Sequence, residues 1–149
     1  FCRTKGGHGN SYLSPDPINQ LDWSLKATCL DVNSYFRKLI SLRKNHPVFR
    51  ISSADRIRKN LNFCTKYQLG VIAYCIDGHG LGDKWKKVVV VFNANSEEVE
   101  VQVNEGPFTL IAFEDDIREE GISNIAGSTV TVPPVSMLLL ARHSESSQQ

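Results

Sequence analysis

No stretch of this sequence approaches the roughly 20 apolar residues that a membrane-crossing helix needs. The longest such runs, Val88–Phe92 and Met137–Ala141, are strand-sized. An excess of charge of one sign is also missing, since 17 basic and 16 acidic residues leave a net charge of +1. That balance gives no electrostatic footprint for a polyanion, so neither nucleic acid nor a membrane surface is expected as a partner. Cysteine is sparse and badly spaced for metal binding. Cys2, Cys29, Cys64 and Cys75 contain no CxxC pair, and the four histidines are scattered, so no metal site and no cofactor is expected. Phe1–Asn10 lacks a signal-peptide pattern and Phe1 is not an initiator, so the chain is expected to begin inside a longer protein.

What is present suits a folded chain. Hydrophobic residues make up 41% of 149, too many for a disordered segment and enough for one domain, or one domain with a fragment of another. Three segments follow one another. From Phe1 to about Leu30, glycines 6, 7 and 9 with Pro15 and Pro17 interrupt every period, and a loop without regular structure is expected. A loop of that length is functional or detached from its context. Asp31–His46 is the one clear helix: Val32, Tyr35, Phe36, Leu39 and Ile40 recur at helical spacing, Asp31 is positioned as N-cap, and Pro47 stops it.

From about Leu61 the period changes to two. Seven or eight strands are expected, among them Leu61–Thr65, Gly70–Ile76, Lys87–Ala94, Val99–Val103, Phe108–Phe113, Thr129–Val132 and Val135–Arg142. Val99, Val101 and Val103 alternate with Glu98, Glu100 and Gln102, which gives one wet face and one core face. The class is mainly β, an antiparallel β-sandwich. Counting outward from a loop at Lys66–Leu69 pairs Phe63 with Ile72 and sets Cys64 opposite Val71 rather than Cys75. Half-buried free thiols are therefore expected at Cys64 and Cys75.

Several stretches resemble the type I pullulanases, debranching enzymes of the α-amylase superfamily. They are Arg3-Thr4-Lys5 with Asn10-Ser11-Tyr12, Ser14-Pro15-Asp16 and Ile18-Asn19-Gln20-Leu21-Asp22-Trp23; the helix exit Leu42-Arg43-Lys44-Asn45-His46-Pro47; and Asp77-Gly78-His79-Gly80-Leu81-Gly82-Asp83 with Val90-Val91-Phe92-Asn93-Ala94-Asn95. The helix exit is widespread in that superfamily, whereas the opening loop together with the Asp-Gly-His-Gly turn is narrower and points to pullulanase. The resemblance implies that residues 1–50 are the end of a catalytic (β/α)8 barrel, its last loop and last helix, and that residues 51–149 are a C-terminal β-sandwich domain. Loops after barrel strands lie on the active-site face, which gives the long opening segment a role.

A retaining glycosidase needs two carboxyl groups about 5–5.5 Å apart. The resemblance puts the catalytic carboxylates upstream of Phe1, so none is assigned here and the chain alone is expected to be inactive. The clusters Glu114-Asp115-Asp116 and Glu119-Glu120 are expected to be solvated surface charge. Substrate contact is expected from Asp16 and Asn19, which match the family's Asp-x-x-Asn pair, and then from Asn10 and Tyr12. The implied partners are the barrel itself and an α-glucan, pullulan or a branched maltooligosaccharide. A competing reading is a stand-alone β-sandwich carbohydrate-binding module, with a platform drawn from Trp85, Tyr67, Tyr74 and Phe108 and only Trp85 expected to be exposed.

Overall fold

The structure is a computed structural model in which residues 2–63, 69–103 and 106–143 are described. Two compact units follow one another, Phe1–Leu39 and Ile40–Gln149. In the first, the expected loop contains three single helical turns: a 3-10 turn at Lys5–Gly7, α1 (Asp16–Asn19) and α2 (Leu25–Thr28). Proline does not prevent α1, because Pro17 sits in its first turn, where the missing N–H would have had no helical acceptor. Asp22 opens the next turn by accepting from the Ser24 backbone N–H at 2.9 Å and the Ser24 hydroxyl at 2.6 Å. A disulfide joins Cys2 to Cys29, a pair that spacing did not single out. Cys64 lies outside the described residues, and with it the question of a Cys64–Cys75 bond.

Helix α3 (Leu30–Asn45) starts one residue earlier than periodicity suggested, so Asp31 occupies its first turn rather than the cap. The carboxylate still opposes the positive end of the helix dipole. At the other end His46 N–H donates to Leu42 carbonyl at 3.0 Å before Pro47 stops the ladder. Leu42 is the buried residue of this helix, whereas Phe36 and Ile40 are 58% and 57% exposed.

In the second unit the described residues form a 3-10 turn at Pro47–Phe49, α4 (Ala54–Asn60) and nine strands: β1 (Leu61–Phe63), β2 (Val71–Asp77), β3 (Trp85–Asn93), β4 (Val99–Gln102), β5 (Phe108–Phe113), β6 (Asp116–Ile117), β7 (Ser123–Ile125), β8 (Thr129–Val132) and β9 (Ser136–His143). Helix α4 was not expected; Ser53 caps it, accepting from Arg56 N–H. The large sheet runs β1-β2-β3-β9-β5-β6 with β7 also on β5, and β4 pairs with β8 in a second sheet. All pairings are antiparallel.

The period-two pattern builds the core between these layers. Ala73, Val89, Val91, Leu110, Leu138 and Leu140 of the large sheet form one buried cluster with Val99, Val101, Val130 and Val132 of the small one. Each such valine or leucine contributes about 1.5–3 kcal/mol relative to exposure. Asn93, itself buried, fastens the small sheet at one end. Its amide donates to the carbonyls of Glu97 (2.8 Å), Val132 (3.2 Å) and Pro133 (2.9 Å), and its Oδ1 accepts from Asn95 N–H at 3.0 Å.

The first hairpin differs from its expected register by two residues. Phe63 faces Tyr74, not Ile72, and Leu61 faces Ile76. A two-residue shift keeps every side chain on its face, so alternation alone does not select between the two pairings. The observed one brings Phe63 and Tyr74 to 5.9 Å between ring centroids, with Phe92 at 6.4 Å from Tyr74 on the next strand, and such cross-strand aromatic pairs favour a register.

Candidate functional site

The residues expected to meet substrate all lie in the first unit, and the backbone between Asn10 and Asn19 is gathered by side chains. Asn19 donates both amide hydrogens inward, to the carbonyls of Ser11 (2.9 Å) and Ser14 (2.7 Å). Lys5 Nζ donates to the buried Ser11 hydroxyl at 2.7 Å, and Arg3 donates to the carbonyls of Ile18 and Asn19. Asn10 Oδ1 accepts from Tyr12 N–H at 3.2 Å, an Asx turn. Asn10 and Asn19 therefore shape the loop, and Asn19 keeps only its Oδ1 for a ligand.

Asp16 and Tyr12 are placed differently. Asp16 is exposed in the first turn of α1, and its carboxylate makes no hydrogen bond or ion pair among the described residues. The Tyr12 ring is 87% exposed beside Leu13, and Trp23 is exposed as well. An acceptor-only carboxylate and an open aromatic face are the two groups with which a protein reads sugar hydroxyls and stacks on a pyranose ring. The Cys2–Cys29 bond closes the chain around all of them.

A second polar cluster, in the β-sheet unit, was not anticipated. His46, at the exit of α3, is fully buried with its ring stacked on Trp85 at 3.3 Å between centroids and 12° between planes. Its Nδ1 lies 2.9 Å from Asp83 Oδ1. An ionised carboxylate only accepts, so Nδ1 carries the proton. Asp83 also accepts from the backbone N–H groups of Val48 (3.0 Å) and Trp85 (2.9 Å). Burial opposes its charge, yet those two N–H groups and His46 together hold the carboxyl below its ordinary range.

Glu119 accepts from Asn45 at 2.7 Å and from Lys84 at 3.0 Å. Those bonds, Asn45 first, outweigh desolvation and lower its pKa. Its Oε1 also stands 3.3 Å from His46 Nε2, off hydrogen-bond direction. Glu119 is thus a structural ion, not the solvated surface charge that was expected, because the strand pairing returns residue 119 to the end of α3. Glu114 and Asp115 are exposed in the β5–β6 turn. The cluster holds no serine or cysteine nucleophile, and it joins the two sequence stretches His46-Pro47 and Gly82-Asp83. What it does chemically is fasten the end of α3 to the sheet.

The platform reading fares poorly. Trp85 is 0% exposed under His46, contrary to expectation, and Phe108 is 1% exposed in the core. Tyr74 is half-buried, which pushes its phenol pKa up, and Tyr67 lies outside the described residues.

Comparison with known proteins adds the following. The family described as Alpha-1,6-glucosidases, pullulanase-type, C-terminal matches residues 19–143. A pullulanase of Bacillus subtilis (strain 168) is 40% identical over 121 residues, 80% of this chain and 17% of that protein. Among solved structures, pullulanase from Bacillus acidopullulyticus aligns with a TM-score of 0.86 and 37% identity over 94% of this chain and 17% of its own. Pullulanase type I from Bacillus subtilis str. 168, complexed with maltose, aligns with a TM-score of 0.84 and 36% identity over 97% of this chain and 20% of its own. This chain thus spans about a fifth or less of the relatives it matches, and it belongs to the pullulanase-type α-1,6-glucosidase C-terminal family.

Proposed function

We propose that this chain is the C-terminal part of a debranching glycoside hydrolase that cleaves α-1,6 linkages of pullulan, starch or glycogen. Residues 1–50 supply the last loop and helix of its barrel, and residues 51–149 form the sandwich that stabilises it. The observation that carries this reading is alignment over 94% of this chain with only 17% of a pullulanase. The exposed Phe36 and Ile40 on α3 support it, since an amphipathic helix with an open apolar stripe calls for a further packing surface.

The first unit contributes binding rather than bond cleavage. Asp16 accepts hydrogen bonds from glucose hydroxyls beside the scissile linkage, Tyr12 offers its ring, and Asn10 and Asn19 hold the loop that presents them. The nucleophile and the acid/base come from elsewhere in the parent enzyme. The test is reducing-end release from pullulan. The parent polypeptide is expected to be active and the isolated chain to give none. Release by the isolated chain, abolished by replacing an Asp or Glu within it, overturns the reading.

A further inference from the structure

The Asp77–Gly82 turn is distinctive in the sequence, yet neither the proposed glucan loop nor the His46 joint uses its histidine. Gly78 lets this turn close against β3, for a Cβ there would stand 2.0 Å from the Trp85 carbonyl oxygen. Asp77 Oδ1 then accepts from His79 N–H at 2.9 Å and lies 2.6 Å from His79 Nδ1, which fixes the imidazole on the turn.

That imidazole lines a cleft of about 760 Å³ at the end of the large sheet, with Lys86 from β3, Arg142 and His143 from β9, and Thr109 and Asn124 from β5 and β7. No carboxylate belongs to its wall among the described residues. Lys86 Nζ makes one long contact, 3.4 Å to the Asp83 carbonyl, so donors of its ammonium remain. Thr109 donates to Asn124 Oδ1 at 3.4 Å, which leaves the Asn124 NH2 as a further donor. Burial first, and then Lys84 and His46, lower the His143 pKa against the opposing pull of Asp83.

We propose that this cleft binds a phosphate-type oxyanion, either free or as a phosphomonoester on a sugar. Two permanent cations, two imidazoles and an amide NH2 around one cavity match an acceptor-only group that carries about −1.5 to −2 charges at pH 7. Neutral glucan lacks the charge that this wall is arranged to meet. The inference stands apart from the debranching reading, because none of the six residues belongs to the proposed glucan loop.

The experiment is calorimetric titration of the 149-residue chain with inorganic phosphate, glucose 6-phosphate and maltotriose. Both phosphates are expected to bind with dissociation constants on the order of 1 mM, about −4 kcal/mol. Raising the salt from about 0.15 M to 1 M, which shortens the screening length from about 8 to 3 Å, should weaken them severalfold. Lys86→Gln and His79→Gln should each weaken binding about tenfold with the melting temperature retained; His79→Gln serves if Lys86→Gln does not fold. Equal affinity for both phosphates assigns the site to the free ion, and tighter binding of glucose 6-phosphate assigns it to a phosphorylated sugar. Absence of phosphate binding, binding unaffected by both substitutions, or maltotriose binding as tight as glucose 6-phosphate would each overturn the proposal.

Discussion

The two units of this molecule are held by different kinds of contact. In Phe1–Leu39 side-chain bonds such as Lys5 to Ser11, Asn19 to Ser11 and Arg3 to Asn19 reach across 6 to 16 positions, and one disulfide closes them. In Ile40–Gln149 a shared apolar core is joined by polar bonds that span 35 to 74 positions, those of His46, Asp83, Lys84, Asn45 and Glu119. The first arrangement leaves Tyr12, Asp16 and Trp23 turned to solvent; the second buries Trp85, Phe108 and Ile111. A region that displays groups and a region that supplies stability need different chemistry, and substitutions should separate them.

The largest effect is expected at Asp83. Its removal leaves the Val48 and Trp85 N–H groups and buried His46 Nδ1 without their acceptor, and breaking such a pair costs about 3–5 kcal/mol. Thermal melting of Asp83→Ala followed by circular dichroism checks this, and a loss below about 1 kcal/mol would show the joint to be dispensable. Acid sharpens the same point. Asp83, Asp77 and Glu119 all have carboxyls held below their ordinary range. For Asp77 burial opposes the charge, and His79, through its N–H and ring, together with Lys87 outweighs it. A depressed folded pKa means that the stability these groups lend is complete above the ordinary carboxylate pKa and is lost as pH falls below it through the lower folded value. Melting temperature should stay level from neutrality down to about pH 5 and decline below about pH 4, less steeply in Asp83→Ala.

Next in size is the disulfide. Cross-linking positions 27 apart constrains the unfolded loop by about 3–4 kcal/mol on the chain-entropy account. Cys29→Ser should therefore speed proteolysis between residues 3 and 28 while leaving amide exchange in β3 and β9 unchanged. Equal loosening of both regions would erase the contrast. A smaller change is expected for Asn19→Ala. Losing two hydrogen bonds to backbone carbonyls costs about 1–2 kcal/mol of loop order, read by the same exchange experiment at Ser11 to Gln20.

The β-sheet unit was largely legible because its signal is local. Val99, Val101 and Val103 alternate in the sequence and are buried in the structure, and strand limits came within a few residues of those observed. What escaped depends on contacts between distant positions. The Phe63–Tyr74 register, the burial of Trp85 beneath His46 and the bonds of Glu119 to Asn45 and Lys84 are set by pairings that no local period encodes. The short turns α1 and α2 escaped because a single helical turn has no period to read. For the candidate site the sequence offers residue types without their local bonds: Asn10 and Asn19 carry the same amide, yet Asn10 accepts from the Tyr12 N–H while Asn19 donates to the Ser11 and Ser14 carbonyls.

Asp16 gives the smallest expected change in stability and the most direct test of the account. It is exposed and its carboxylate makes no hydrogen bond or ion pair among the described residues, so Asp16→Ala should alter stability by no more than about 0.5 kcal/mol. In the parent enzyme the same substitution removes a charged acceptor for glucose hydroxyls, worth about 1.5–3 kcal/mol. Assayed on pullulan with melting temperature measured on the same preparation, kcat/KM should fall roughly ten- to a hundredfold, since about 1.4 kcal/mol is a factor of ten. KM should rise while kcat holds, the mark of a contact made equally in ground and transition states. An unchanged kcat/KM in a fully folded Asp16→Ala enzyme would contradict the assignment of this loop to the substrate.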